Sequence, residues 1–237
     1  MRTWRGVEFT VVSDEQEPRL WDKLSSIFTS NSVTIFTASL MSTGSSYSFT
    51  NNLGQLTMSL SYHNKKTQNV MALLGSLKFF GLMVGHAFVN IPLLKRARYR
   101  MKSVMLTVII CAVGYLVLAL KGKEYFFLCA SLDALTSGFE AHLLYSLISD
   151  LFEIPVEQVI SPVAQLGAVA GNFVLSGIMA YLYDREAKKQ VGSRGLGGGS
   201  GIRCDGIDCY KLSLLALALL KVLSIIPYTR LLKKLKS

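Results

Sequence analysis

Ser103 to Leu120 reads SVMLTVIICAVGYLVLAL, and this stretch decides the fold. It carries no polar stripe at the helical period of 3.6 residues, which a helix on a soluble core would show. At 1.5 Å per residue it reaches roughly 27 Å, close to the hydrocarbon thickness of a bilayer. The reading is therefore a membrane-spanning helix. Five further apolar segments flank it: Ser32–Phe49, Val70–Leu94, Tyr125–Leu151, Val159–Tyr183 and Leu212–Tyr228. The first is the weakest, since VTIFTASLM passes into the hydroxyl-rich STGSSYSF. Hydroxyls can back-bond to the helix, so such a segment is tolerated where it faces other helices.

Composition agrees. Of 237 residues, 51% are apolar and 17% charged, and the mean hydropathy is +0.39. A disordered chain needs the opposite balance. The net charge of +10 resides between and beyond the apolar runs, where cytoplasmic loops carry Lys and Arg. No basic-aromatic groove motif accompanies it, so no nucleic-acid partner is expected. The bilayer is the partner the composition implies. Met1 to Arg19 lacks the apolar core and cleavage site of a signal peptide.

Lys95, Arg96, Arg98, Arg100 and Lys102 follow the second segment, and Arg230, Lys233, Lys234 and Lys236 follow the sixth. With six crossings both clusters fall on one side, which the positive-inside rule makes cytoplasmic. The expected organisation is all-α and integral to the membrane. A cytoplasmic N-terminal segment (1–30) leads into a six-span unit (31–229), with a long extracytoplasmic loop (184–211) inside it. A basic cytoplasmic tail (230–237) closes the chain. In that loop Cys204 and Cys209 either form a small disulfide ring or remain free thiols. Cys111 and Cys129 lie in apolar runs and are expected to pack as small hydrophobes.

Several motifs carry a family resemblance. Asn51-Asn52-Leu53-Gly54-Gln55-Leu56 is followed by Ser59-Leu60-Ser61-Tyr62. Gly138-Phe139-Glu140-Ala141 leads to Ser149-Asp150-Leu151-Phe152. Tyr181-Leu182-Tyr183-Asp184-Arg185-Glu186-Ala187 precedes Cys204-x-Gly206-x-x-Cys209-Tyr210. Together these resemble the C-terminal half of the nodulin-like, nuclear-fusion-defective-like branch of the major facilitator superfamily. The chain departs from that pattern at Asn51, where the family has Asp. It departs again at Gly81-Leu82, in place of a Gly-Arg pair, and at Lys78. The resemblance implies half of a major facilitator fold, built as inverted three-helix repeats. It implies secondary transport of a small solute by alternating access, with spans 1, 2, 4 and 5 facing the cavity. The partner would be the other half or a second copy of this chain. The alternative is a non-transporting remnant or membrane assembly partner.

Charges inside the membrane are costly and mark functional candidates. Lys78, Asp133 and Lys221 each stand about eight or nine residues from the outer end of their segment, and an ion pair of Asp133 with either lysine is expected. That pair would either tie helices together or serve a substrate or proton. Glu140, His86 and His142 lie deeper, and Asp133 and Glu140 share one helical face. In the fifth segment Gln165 and Asn172 face one way, while Gly167-x-x-x-Gly171 marks close helix approach. The candidate solute-binding residues are Lys78, Asp133, Glu140, Gln165 and Asn172. No catalytic motif, metal-ligand set or cofactor cradle is legible: HExxH, GxSxG and GxxxxGK[ST] are all missing. An enzyme is not expected.

Overall fold

The computed structural model describes residues 29–60, 64–91, 96–152, 154–194, 204 and 206–234. The segment 1–28, Ser61, Tyr62, the Gly197–Gly199 run and the tail beyond Lys234 lie outside the described residues. Every element described is helical: α1 (Ser30–Met41), α2 (Thr43–Ser59), α3 (Asn64–Asn90), α4 (Ala97–Lys121), a 3-10 turn (Gly122–Tyr125), α5 (Phe126–Leu151), α6 (Ile154–Arg194), α7 (Asp208–Leu223) and α8 (Ile225–Lys234).

Four stretches are long and apolar enough to cross a membrane: Asn69–Asn90, Ala97–Leu151, Ile160–Gln190 and Asp208–Lys234. The chain is thus a multi-pass membrane protein by its helices. The second stretch holds two helices. It turns back at Gly122, whose φ of 75° suits a residue without Cβ. Tyr115 then meets Asp133, and Arg100 meets Ser146, as an antiparallel pair requires. The α1–α2 stretch is not among the four, because α2 (TGSSYSFTNNLGQLTMS) carries too many polar residues.

Two helix pairs are interrupted in place. Between α1 and α2, Ser42 still donates its N–H to Ala38. The Ser45 hydroxyl bonds the Ser42 carbonyl at 2.7 Å, a back-bond that bends helices. Between α7 and α8, Ser224 donates its hydroxyl to the Lys221 carbonyl. Pro227 then supplies no N–H to the ladder.

Among the boundaries that differ from the sequence expectation, two bear on the site and the loop. The α6 helix continues through Asp184 to Arg194, so the expected loop from 184 begins as helix. Its 41 residues span roughly 60 Å, about twice the hydrocarbon thickness. The α7 helix begins at Asp208 rather than Leu212.

Glycines bring two helix pairs into backbone contact. A Cβ at Gly138 of α5 would lie 2.0 Å from the Lys78 carbonyl oxygen, and one at Gly81 of α3 would lie 2.1 Å from that of Leu135. A Cβ at Gly171 of α6 would lie 2.2 Å from the Leu40 oxygen, and one at Gly167 would lie 2.6 Å from that of Phe36. The pairs α3–α5 and α1/α2–α6 are the closest in the bundle, and α4 packs along α5 and α7.

The core is split. One apolar cluster holds Phe49, Leu53, Tyr115, Phe126, Tyr210 and Leu214. The other holds Ile35, Met101, Val104, Leu143, Leu147 and Tyr228. Asp133, Glu140, Lys221, Ser42 and Ser46, all buried, form a polar layer between them.

Candidate functional site

The polar layer is built where the two interrupted helices meet α5. Lys221, fully buried near the end of α7, donates to Glu140 Oε2 at 3.3 Å. It also donates to Ser42 Oγ at 3.2 Å. Ser42 donates in turn to Glu140 Oε1 at 2.5 Å, and Tyr228 of α8 donates to the same oxygen at 3.1 Å. The carboxylate is thus held by an ammonium and two hydroxyls. A buried pair needs such extra hydrogen bonds to offset desolvation.

Asp133 lies two helical turns away on α5 and is also buried. Its Oδ1 accepts from Tyr115 at 2.6 Å and from Ser46 at 2.9 Å. The expected Asp133–lysine pair is replaced by hydroxyls, and Lys221 takes Glu140 instead. The reason is helix length. With α7 starting at Asp208, Lys221 lies about four residues, or 6 Å, deeper than a start at Leu212 implies. That depth matches Glu140.

Lys78 goes elsewhere. Half-buried on α3, its ammonium rests 4.1 Å from the centroid of the Tyr47 ring, a cation–π contact. It forms no ion pair with any described residue. Tyr47 is also part of a narrow cleft between α1/α2, α5 and α6, with a free volume of about 20 Å³. Ser39, Thr43, Tyr145 and Gln165 supply its other polar groups. Gln165 is exposed, and Asn172 half-buried, on α6. Asn172 Oδ1 accepts from Asn51 at 3.0 Å and from Ser176 at 3.2 Å. Ser176 also contacts the Ser48 hydroxyl.

The five candidate residues therefore occupy three places. Asp133 and Glu140 lie in the buried layer, Gln165 in the cleft with Lys78 one ring away, and Asn172 in an amide cluster with Asn51. Sequence reasoning missed Ser42, Tyr115 and Tyr228, because a hydroxyl leaves no hydropathy signal and its partners lie far along the chain. His142 meets His86 edge-on, with ring centroids 5.2 Å apart. Among the described residues no three His, Cys, Asp or Glu side chains gather as a metal site.

One end of the bundle is clasped. Cys204 and Cys209 are disulfide-bonded. The Cys204 N–H donates to the Tyr183 hydroxyl at 3.2 Å, and Gly206 N–H to the Ser59 carbonyl at 2.9 Å. Tyr210 donates to Gln55 at 3.0 Å. The ring thereby ties α2, α6 and α7 together. At the other end Arg100 of α4 pairs with Asp150 and hydrogen-bonds Ser146, both of α5.

Comparison with known proteins finds no family model that matches the chain, and no curated protein or solved structure similar to it.

Proposed function

We propose that the chain is one six-span half of a major-facilitator-type secondary transporter. Its crossings would be α1/α2, α3, α4, α5, α6 and α7/α8. The observation that carries this reading is the pairing of its helices. Numbered as crossings, the two glycine-lined contacts join 1 with 5 and 2 with 4, and 3 packs on 6. Exchanging 1 with 4, 2 with 5 and 3 with 6 leaves that pattern unchanged. An inverted repeat of three helices requires this invariance. The surface shared by crossings 1, 2, 4 and 5 carries Lys78, Gln165 and Asn172, as a solute pathway would.

Both termini then face the cytoplasm with the Arg96–Lys102 cluster, and the Cys204–Cys209 ring faces the opposite, oxidising side. The solute moves as this half rocks against a second half or a second copy.

Counterflow in liposomes holding the purified chain tests the reading. Exchange of at least one solute from a panel of labelled acids, sugars and amino acids is expected, and Asn172→Leu should depress it severalfold. A folded, reconstituted chain that exchanges none of them ends the reading in which two copies of this chain form the transporter.

A second reading draws on the exposed amides. Asn51 and Gln165 stand on the surface at membrane depth, where lipid offers them no partner. The chain would then be an assembly subunit covering that face with another protein. A monodisperse monomer in detergent removes its basis.

A further inference from the structure

Side chains seven apart share one face of a helix. On α4 one such row is Tyr99, Leu106, Val113 and Leu120, and the row beside it is Lys102, Ile109 and Leu116. Every one of these is exposed. The apolar part, from Leu106 to Leu120, runs about 21 Å at 1.5 Å per residue. That exceeds the hydrocarbon depth of one leaflet. The α4 helix lies in a stretch apolar enough to cross the membrane, so the stripe meets acyl chains.

At the α4 N-terminal end the stripe turns polar. Tyr99 and Lys102 stand there with Arg96 and Arg98, and these four with Ala97 line an open hollow with a free volume of about 350 Å³. Both arginines are exposed. Lys102 Nζ rests 6.0 Å from the centroid of the Tyr99 ring, the outer limit of a cation–π contact. Among the described side chains, none of the three cations meets a carboxylate. Asp150 is taken by Arg100, which turns inward and is buried.

The α8 helix adds to this charge. Met101 and Val104 of α4 share an apolar cluster with Tyr228 and Leu231 of α8. Arg230 and Lys233 therefore stand, exposed, at the same end of the bundle. The opposite end is mixed in sign. There Arg185, Lys188 and Lys189 of α6 alternate with Asp184 and Glu186, and Lys189 pairs with Glu186 at 2.6 Å.

We propose that this face of α4 binds an anionic phospholipid. Its phosphate would sit in the hollow against Arg96, Arg98 and Lys102, with its acyl chains along Leu106, Ile109 and Val113. Guanidinium forks suit phosphate oxygens, and basic clusters beside a span attract anionic headgroups. A choline headgroup would bring a further cation among three. The apolar stripe below the hollow favours a lipid over free phosphate. The assignment needs only that α4 spans the membrane, so it is independent of transport.

Native mass spectrometry of the purified full chain in detergent tests it. The probes are equal amounts of phosphatidylglycerol and phosphatidylcholine with matched acyl chains. The chain should retain phosphatidylglycerol about fivefold or more over phosphatidylcholine. Combining Arg96→Gln, Arg98→Gln and Lys102→Gln should abolish that preference. Lys102→Gln alone should lower it about twofold, and it decides the matter if the combined variant does not fold. Arg185→Gln with Lys188→Gln and Lys189→Gln removes the same charge at the opposite end and should leave the preference intact. Thermal melting like wild type certifies that each variant is folded. Equal retention of the two lipids by wild type overturns the proposal. A preference that survives at the α4 variants, or falls equally with the α6 variant, overturns it too, since net charge alone would then explain binding. Displacement of phosphatidylglycerol by millimolar inorganic phosphate would make the hollow a phosphate site and overturn the lipid assignment.

Discussion

Lys221 and Lys78 are the same side chain at membrane depth, with opposite surroundings. Lys221 is enclosed by α1/α2, α5 and α7 and meets a carboxylate and a hydroxyl. Lys78 borders the open wall and meets a tyrosine ring. Desolvation burdens both. The first is offset by a direct ion pair, the second by a tyrosine ring and the more distant Asp133 charge, so the first region reads as a structural pin and the second as a looser contact. Burial and pairing change together: Lys221 is fully buried and Lys78 half-buried. The fully enclosed lysine has the direct counter-ion.

The sharpest way to break this contrast is to remove one partner of the pin. Glu140→Ala or Lys221→Met leaves an uncompensated buried charge and should cost about 3–5 kcal/mol. The double variant should recover most of that loss. Thermal unfolding followed by circular dichroism in detergent reads the difference. Single variants that melt with wild type would make the pin decorative.

A smaller effect is expected at Gly138, whose missing Cβ leaves room for the Lys78 carbonyl. Gly138→Ala forces α3 from α5 and should cost about 1–3 kcal/mol, as overpacking does. Gly54→Ala, with nothing within 4 Å of an added Cβ, is the control and should not destabilise. Equal melting of the two variants would show that the crossing is loose.

The smallest effect on stability belongs to Lys78→Gln, which removes a cation–π contact worth about 1 kcal/mol or less at an exposed edge. A melting point far below wild type would make Lys78 a second pin and erase the contrast.

Much of this arrangement was legible in the chain itself. The Ser103–Leu120 run named its helix through hydropathy alone, and Gly167-x-x-x-Gly171 marked a crossing that the structure places against α1. Register was less legible. Apolarity begins at Leu212, but the helix begins at Asp208, because three polar residues and a cysteine can form a first turn as well as apolar ones. That shift of one turn reassigned Lys221 from Asp133 to Glu140. The unpartnered hydroxyls of Ser39 and Thr43 had no sequence signature. Their neighbours Thr34 and Thr37 have the same chemistry and are satisfied. Only the placement of three helices around the cleft distinguishes the two pairs.

The Glu140–Lys221 contact also joins residues made at different times. Eighty-one positions separate them. At about 5–20 residues per second, α5 is complete for several seconds before its ammonium partner leaves the ribosome. During that interval Ser42 and Ser46 of the first segment and Tyr115 of α4, already synthesised, are the hydroxyls that can receive the two carboxylates. The hydroxyl-rich first segment, the poorest of the apolar runs by hydropathy, thus supplies a partner to each carboxylate before the ammonium is made.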